Sequence, residues 1–123
     1  MKKIFAANWK LFKSPAETRE FFKNFLNQSL KIDSEVVFFP SAISLEAAAT
    51  SVAGSFVQLG AQNCYSQASG AFTGENSVQV VKELGGKYIL VGHSERRQIF
   101  KETDEMIAVK VQFVQQSGLI PML

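Results

Sequence analysis

Polar groups of several different chemistries stand at the ends of short apolar runs in this chain. Asn8 and Lys10 close the run that begins at Ile4, Gln62 and Asn63 follow the run Phe56 to Ala61, and His93, Ser94 and Glu95 follow Tyr88 to Val91. Parallel α/β folds bind ligands at the C-terminal ends of their strands, so these groups can reach one pocket. An ammonium, an amide, an imidazole and a carboxylate gathered there favour chemistry on a small polar or anionic substrate. Taken singly, each residue also has a plainer role. Lys10 can be a solvated loop lysine and Asn8 a turn former. Glu95, Arg96 and Arg97 can pair on a helix surface, the role expected for Arg97, with Glu102 and Asp104 as their counter-ions. The single histidine, His93, lies between an apolar run and a helical turn expected near Ser94. Backbone N–H groups at a helix start disfavour positive charge, so the ring is expected to be neutral and to donate a hydrogen bond. Cys64 is expected to be a structural thiol, and the phenylalanines to form core.

The elements that must position these groups alternate along the chain. Ile4 to Trp9 reads as a strand, and Ser14-Pro15-Ala16-Glu17 as a capping box opening a helix whose stripe is Phe21, Phe22, Phe25 and Leu26. Val36 to Phe39, four apolar residues without alternation, suits a strand buried on both faces. A helix over Ile43 to Ala53, a strand over Phe56 to Ala61, a polar loop over 62–75 and a helix from Ser77 to Leu84 follow. Tyr88 to Val91 is the fourth strand. Thr103-Asp104-Glu105 opens the last helix, with Ile107, Val111 and Val114 as its apolar face, and Leu119 to Leu123 begins a fifth strand. The class is therefore α/β with a parallel sheet, either an open doubly wound sheet or a (β/α)8 barrel cut short. The second is favoured, because a domain rarely ends inside an apolar strand. A doubly wound domain binding a phosphorylated ligand is weakened by Ala6-Ala7-Asn8-Trp9-Lys10, which stands where a Gly-rich fingerprint belongs.

Composition narrows the function. The 123 residues carry 13 basic and 11 acidic side chains, a net charge of +2, spread without the basic stripe of a nucleic-acid protein. One cysteine permits no internal disulfide and fits a reducing cytoplasm, and no Cys/His spacing suggests a metal site. Met1-Lys2-Lys3 can open a signal peptide, but Asn8 and Lys10 interrupt the apolar stretch that must follow. No run reaches the ~18 apolar residues of a membrane helix.

Four strings, in order and on the expected elements, resemble the triosephosphate isomerase family: Ala7-Asn8-Trp9-Lys10, Gly60-Ala61-Gln62-Asn63 with Gly70-Ala71-Phe72-Thr73-Gly74-Glu75, Val91-Gly92-His93-Ser94-Glu95-Arg96-Arg97, and Phe100-Lys101-Glu102-Thr103-Asp104. The resemblance implies the N-terminal half of a (β/α)8 TIM barrel: four βα units plus the start of strand five, one partial domain over 1–123 truncated at its C-terminus. It implies an enzyme of glycolysis and gluconeogenesis that interconverts dihydroxyacetone phosphate and glyceraldehyde 3-phosphate through an enediolate, with no cofactor and no metal. His93 would polarise the substrate carbonyl. Lys10 would stabilise negative charge and bind substrate, Asn8 would hydrogen-bond substrate oxygens, and Glu95 would orient Lys10. Thr73, with Gly74 and Glu75, would reach into a second subunit of a homodimer and brace Asn8 and His93 there. Leu11-Phe12 departs from the Met-Asn of many members. The family's glutamate base lies on the sixth strand and its phosphate-gripping backbone in the seventh and eighth loops. The expectation is thus a fragment without isomerase activity alone, its first and fourth strands left without neighbours. The alternative is a non-enzymatic half-barrel that assembles with another chain.

Overall fold

The apolar runs become the strands of one parallel sheet in the computed structural model, which describes residues 3–29 and 31–123. In chain order the elements are β1 (Ile4–Asn8), α1 (Pro15–Leu26), β2 (Glu35–Phe39), a 3-10 turn (Ala42–Ser44) running into α2 (Leu45–Val52), and β3 (Val57–Ala61). Then come α3 (Val78–Glu83), β4 (Tyr88–Leu90), α4 (Ser94–Gln98), α5 (Asp104–Gln116) and β5 (Ile120–Met122). The strands lie side by side in that same order, every pair parallel. Crossovers of one hand between successive neighbours lay α1, α2, α3 and α5 against the same face, so the sheet curls into a half-barrel. The start of the signal-peptide reading, Met1-Lys2, falls outside the described residues.

Two apolar layers follow from strand alternation. Toward the helices, Trp9, Phe38, Leu59 and Ile89 pack with Phe22 of α1, Leu45 and Ala48 of α2, Val81 of α3 and Ile107 and Val114 of α5. Toward the hollow, Val37, Phe39 and Tyr88 pack with Leu90 and Met122. Trp9 anchors the first layer: its ring stacks on Phe22 at 5.3 Å and meets Phe21 and Phe38 edge-on at 4.9 and 5.6 Å. The capping box of α1 forms as expected. Ser14 N–H donates to Glu17 Oε2 at 2.7 Å, and Glu17 N–H donates to Ser14 Oγ at 3.2 Å. Such a cap contributes about 1 kcal/mol and fixes where the helix starts.

Two expectations need correction. The phenylalanines are not all core: Phe5, Phe12, Phe56, Phe72 and Phe100 are exposed. Phe5 lies on an edge strand, Phe56 just before β3, and the other three on loops at the carboxyl ends of the strands, where no helix covers them. The sheet edges are β1 and β5, not the first and fourth strands. Three residues of β5 suffice to pair along β4, with Tyr88 opposite Ile120 and Leu90 opposite Met122. Cys64 is a buried free thiol as expected; burial pushes its pKa up to about 11.

The hollow-facing layer has one position where only glycine fits. Gly60 lies between Phe39 of β2 and Tyr88 of β4, and a Cβ there would stand 2.6 Å from the Tyr88 carbonyl oxygen and closer still to the Phe39 ring. Backbone cannot yield as a flexible side chain does. Gly60→Ala is therefore expected to lower the unfolding free energy by about 1–3 kcal/mol, read as an earlier urea midpoint. An unchanged midpoint would show that the layer repacks freely.

Candidate active site

The strand ends converge because β1, β2 and β3 are tied together by one amide. Gln62, just past β3, donates both hydrogens of its side-chain amide, one to Phe39 O and one to Lys10 O, each at 2.8 Å. Asn8 holds the other side of the same turn: its Oδ1 accepts from Lys10 N–H at 2.9 Å. Between these grips Lys10 takes φ +53°, a left-handed backbone that non-glycine residues adopt at a cost of about 1–3 kcal/mol. Trp9, buried among the phenylalanines, keeps the turn from sliding along the sheet. Strain of this kind persists only where neighbours over-determine it, and here it aims the lysine across the strand ends.

The lysine is aimed at Glu95. Lys10 Nζ lies 2.7 Å from Glu95 Oε1, and this hydrogen bond holds the Glu95 carboxyl below its ordinary value, with the charge of Lys10 adding to the effect. Glu95 belongs to α4, the helical turn expected near Ser94. His93 caps that turn: its Nδ1 accepts the Glu95 backbone N–H at 3.2 Å, and its carbonyl accepts from Arg96 and Arg97 N–H. A ring nitrogen that accepts an amide carries no proton, so the proton of the neutral ring sits on Nε2. The Glu95 Oε2, 3.5 Å from the same Nδ1, would pair with it only if the ring took up a second proton. The amide already occupies that nitrogen, so the ring is read as neutral.

Asn8, Lys10, His93 and Glu95 share one open cleft of about 710 Å³ with Gln62, Asn63, Gly74 and Glu75. The structure thus brings together the residues chosen from the sequence, apart from Thr73, which is exposed on the loop rather than part of the cleft wall. A smaller hollow of about 380 Å³ beside Lys13, Glu17 and Phe21 on the outside of α1 contains none of these groups. Among the described residues, no cluster of three or more His, Cys, Asp or Glu could hold a metal, and no helix is long and apolar enough to cross a membrane.

Beneath the cleft lies a network that the sequence reading saw only in part. Arg96 and Arg97 pair with Glu102 and Asp104 as expected, at 3.1 and 2.5 Å. Glu102, however, is buried, and its other oxygen meets the buried ammonium of Lys110, which also donates to Asn63 Oδ1 at 2.9 Å. One carboxylate therefore joins α4, α5 and the start of the β3 loop. Lys110 had a signal in the sequence: it occupies the apolar stripe of α5, three residues after Ile107 and four before Val114. A charge in such a stripe needs a buried counter-ion.

The geometry defines a class: a parallel α/β half-barrel whose strand ends present a cation, an amide and an imidazole to one open cleft. A family model described as triosephosphate isomerase matches residues 3–123. The chain belongs to the triosephosphate isomerase family. It is 69% identical over 123 residues to the triosephosphate isomerase of Bdellovibrio bacteriovorus, covering 100% of this chain and 51% of that protein. It is 44% identical to that of Trichormus variabilis over 99% of this chain and 52% of the relative, and 43% identical to that of Aquifex aeolicus over 100% and 50%. The chain spans about half the length of the curated relatives it matches.

The Lys10–Glu95 pair sets a pH dependence. The Glu95 carboxyl titrates below its ordinary 4.5 in the fold, so the pair adds stability above that value and loses it as the pH falls through the lower folded value. Lys10→Met removes both the hydrogen bond and the charge that hold it down. The Glu95 midpoint, followed by carboxyl-carbon NMR, is then expected to move up toward 4.5. A midpoint that stays low would assign the shift to something other than Lys10.

Proposed function

We propose that this chain supplies the Asn8, Lys10 and His93 portion of a triose-phosphate isomerase site. The reaction interconverts dihydroxyacetone phosphate and D-glyceraldehyde 3-phosphate, without a cofactor, as a step of glycolysis and gluconeogenesis in the cytoplasm. The observation that carries the reading is the pairing of two donors across one cleft: the Lys10 ammonium held by Glu95, and the His93 ring held by the Glu95 amide with Nε2–H left for substrate.

Removing a proton from carbon beside a carbonyl leaves negative charge on the carbonyl oxygen. A neutral imidazole donating from Nε2 can stabilise that oxygen and exchange a proton with it, because its acidity is closer to that of an enediol than an imidazolium's is. Lys10 adds a fixed positive charge for the enediolate and the phosphate ester. It works best preorganised, and its strained turn and ion pair supply this. Asn8 uses its Oδ1 on the Lys10 amide and keeps its NH2 group for substrate oxygens. Glu95 orients Lys10 and leaves proton abstraction to the glutamate that the family carries on its sixth strand. His93→Gln in the assembled enzyme is expected to lower kcat by about 10²-fold or more, since an amide can donate a hydrogen bond but cannot relay the proton. Unchanged turnover would remove His93 from the reaction.

In the full-length form the site is proposed to be braced by a second subunit of a homodimer. Leu11, Phe12, Ile43, Ile99 and Phe100 stand exposed around the cleft, an apolar rim that a docking partner would cover. The β3 loop that carries Thr73, Gly74 and Glu75 is held in shape by its own contacts. Tyr65 packs on Phe72 at 4.3 Å between ring centroids, and Glu75 N–H donates to Phe72 O. A preformed loop loses little freedom on docking, and the rim would gain cover from it. Sedimentation of the full-length form is expected to give a dimer that Ile43→Asp, at a position 85% exposed, converts to monomer with a drop in kcat. A wild-type protein that stays monomeric at micromolar concentration would overturn this arrangement.

A further inference from the structure

We propose that Arg97 is a positioning residue for His93, acting through the carbonyl of Gly92. The proposal rests on the reading of His93 as the hydrogen-bond donor to substrate. From the sequence Arg97 looks like a surface ion-pair residue, and its contact with Asp104 at 2.5 Å fits that role. A solvated pair of this kind contributes little by itself. Its Nε, however, donates to Gly92 O at 3.1 Å, one peptide before the catalytic ring. Asp104, at the start of α5, thus fixes a guanidinium whose other nitrogen holds the turn between β4 and α4.

That turn needs holding. Gly92 takes φ +70°, and a Cβ there would meet three atoms of Ile107 at 3.0–3.2 Å. The chain therefore leaves β4 in a conformation with no side chain of its own to anchor it. Above it, the hydrogen bond of His93 Nδ1 to the Glu95 amide is 3.2 Å long. A small rotation of the Gly92–His93 peptide would break it, and with it the fixed Nε2–H tautomer. Arg97 closes a ring: α4 hangs from the His93 carbonyl through Arg97 N–H, and the Arg97 side chain returns to the carbonyl before it. A planar guanidinium serves both Gly92 O and Asp104 at once, whereas a lysine offers one point charge.

The test reads the ring nitrogens of His93 in a 15N-histidine spectrum of the full-length form, its signals assigned as those that His93→Gln removes. In the wild type the two ring nitrogens are expected to be well separated, with Nε2 protonated. In Arg97→Gln they are expected to approach one another, and amide exchange at Glu95 to quicken on the order of tenfold while Ile89 in β4 stays protected. Arg97→Lys should recover part of both effects. Asp104→Asn, at an exposed position, gives a milder version of the same change should Arg97→Gln fold poorly. In the assembled enzyme kcat is expected to fall about tenfold with KM nearly constant. Unchanged nitrogen shifts and Glu95 exchange in both variants would overturn the proposal. So would equal loss of protection at Glu95 and Ile89, which would assign Arg97 to general stability. The spectra judge Arg97 whether or not His93→Gln abolishes turnover, so failure of this idea and failure of the isomerase reading stay distinguishable.

Discussion

Burying the Glu102 carboxylate puts a constraint on everything above it. An anion removed from water is tolerable only when each oxygen is met, and here Arg96 takes one and Lys110 the other. Those two cations come from α4 and α5, and Lys110 goes on to hold Asn63 at the root of the β3 loop. Taking away Glu102 would leave the buried Lys110 without its counter-ion, and taking away Lys110 would leave Glu102 Oε1 and Asn63 Oδ1 without this partner, so the three segments keep their relative positions. The cleft residues His93, Glu95, Asn63 and Glu75 all belong to segments tied in this way. Their geometry is thereby insulated from the exposed ends of their own side chains.

On the opposite wall the same result is reached by different means. The Lys10 turn contains no buried charge; it is strained backbone gripped by the amides of Asn8 and Gln62 and anchored by Trp9. The two walls meet at a single ion pair, Lys10 with Glu95. Half-exposed as it is, that pair contributes little to stability. Its effect is directional: it keeps the ammonium over the cleft.

Much of this could be read from the chain before any coordinates. The strand runs, the Ser14 capping box, the turn at Ser94 and the Thr103 cap all fall within a residue or two of their expected places, because each depends on neighbours in sequence. Contacts that span the fold were less visible. Gln62 was a polar residue at a strand end, but nothing local says that its amide bridges Lys10 and Phe39. Phenylalanines at 12, 72 and 100 have the same apolar character as those in α1. Only the placement of loops beyond the helix layer leaves them in water. Arg97 was assigned its ion pair correctly, and the second half of its fork, on Gly92, could not be seen without the turn.

By itself the sequence determined the parallel α/β class, the order of elements and the residue types at the strand ends, since periodicity, capping and composition act over a few positions. Tertiary structure alone decided which of those residues share a cleft and how each is oriented. It set the left-handed turn at Lys10, the tautomer of His93 through the Glu95 amide, and the burial of Lys110 against Glu102. The physical reason is that hydrogen bonds and ion pairs are directional and short-ranged. Their partners are chosen by the distance between strands and helices, a quantity that no stretch of neighbouring residues contains.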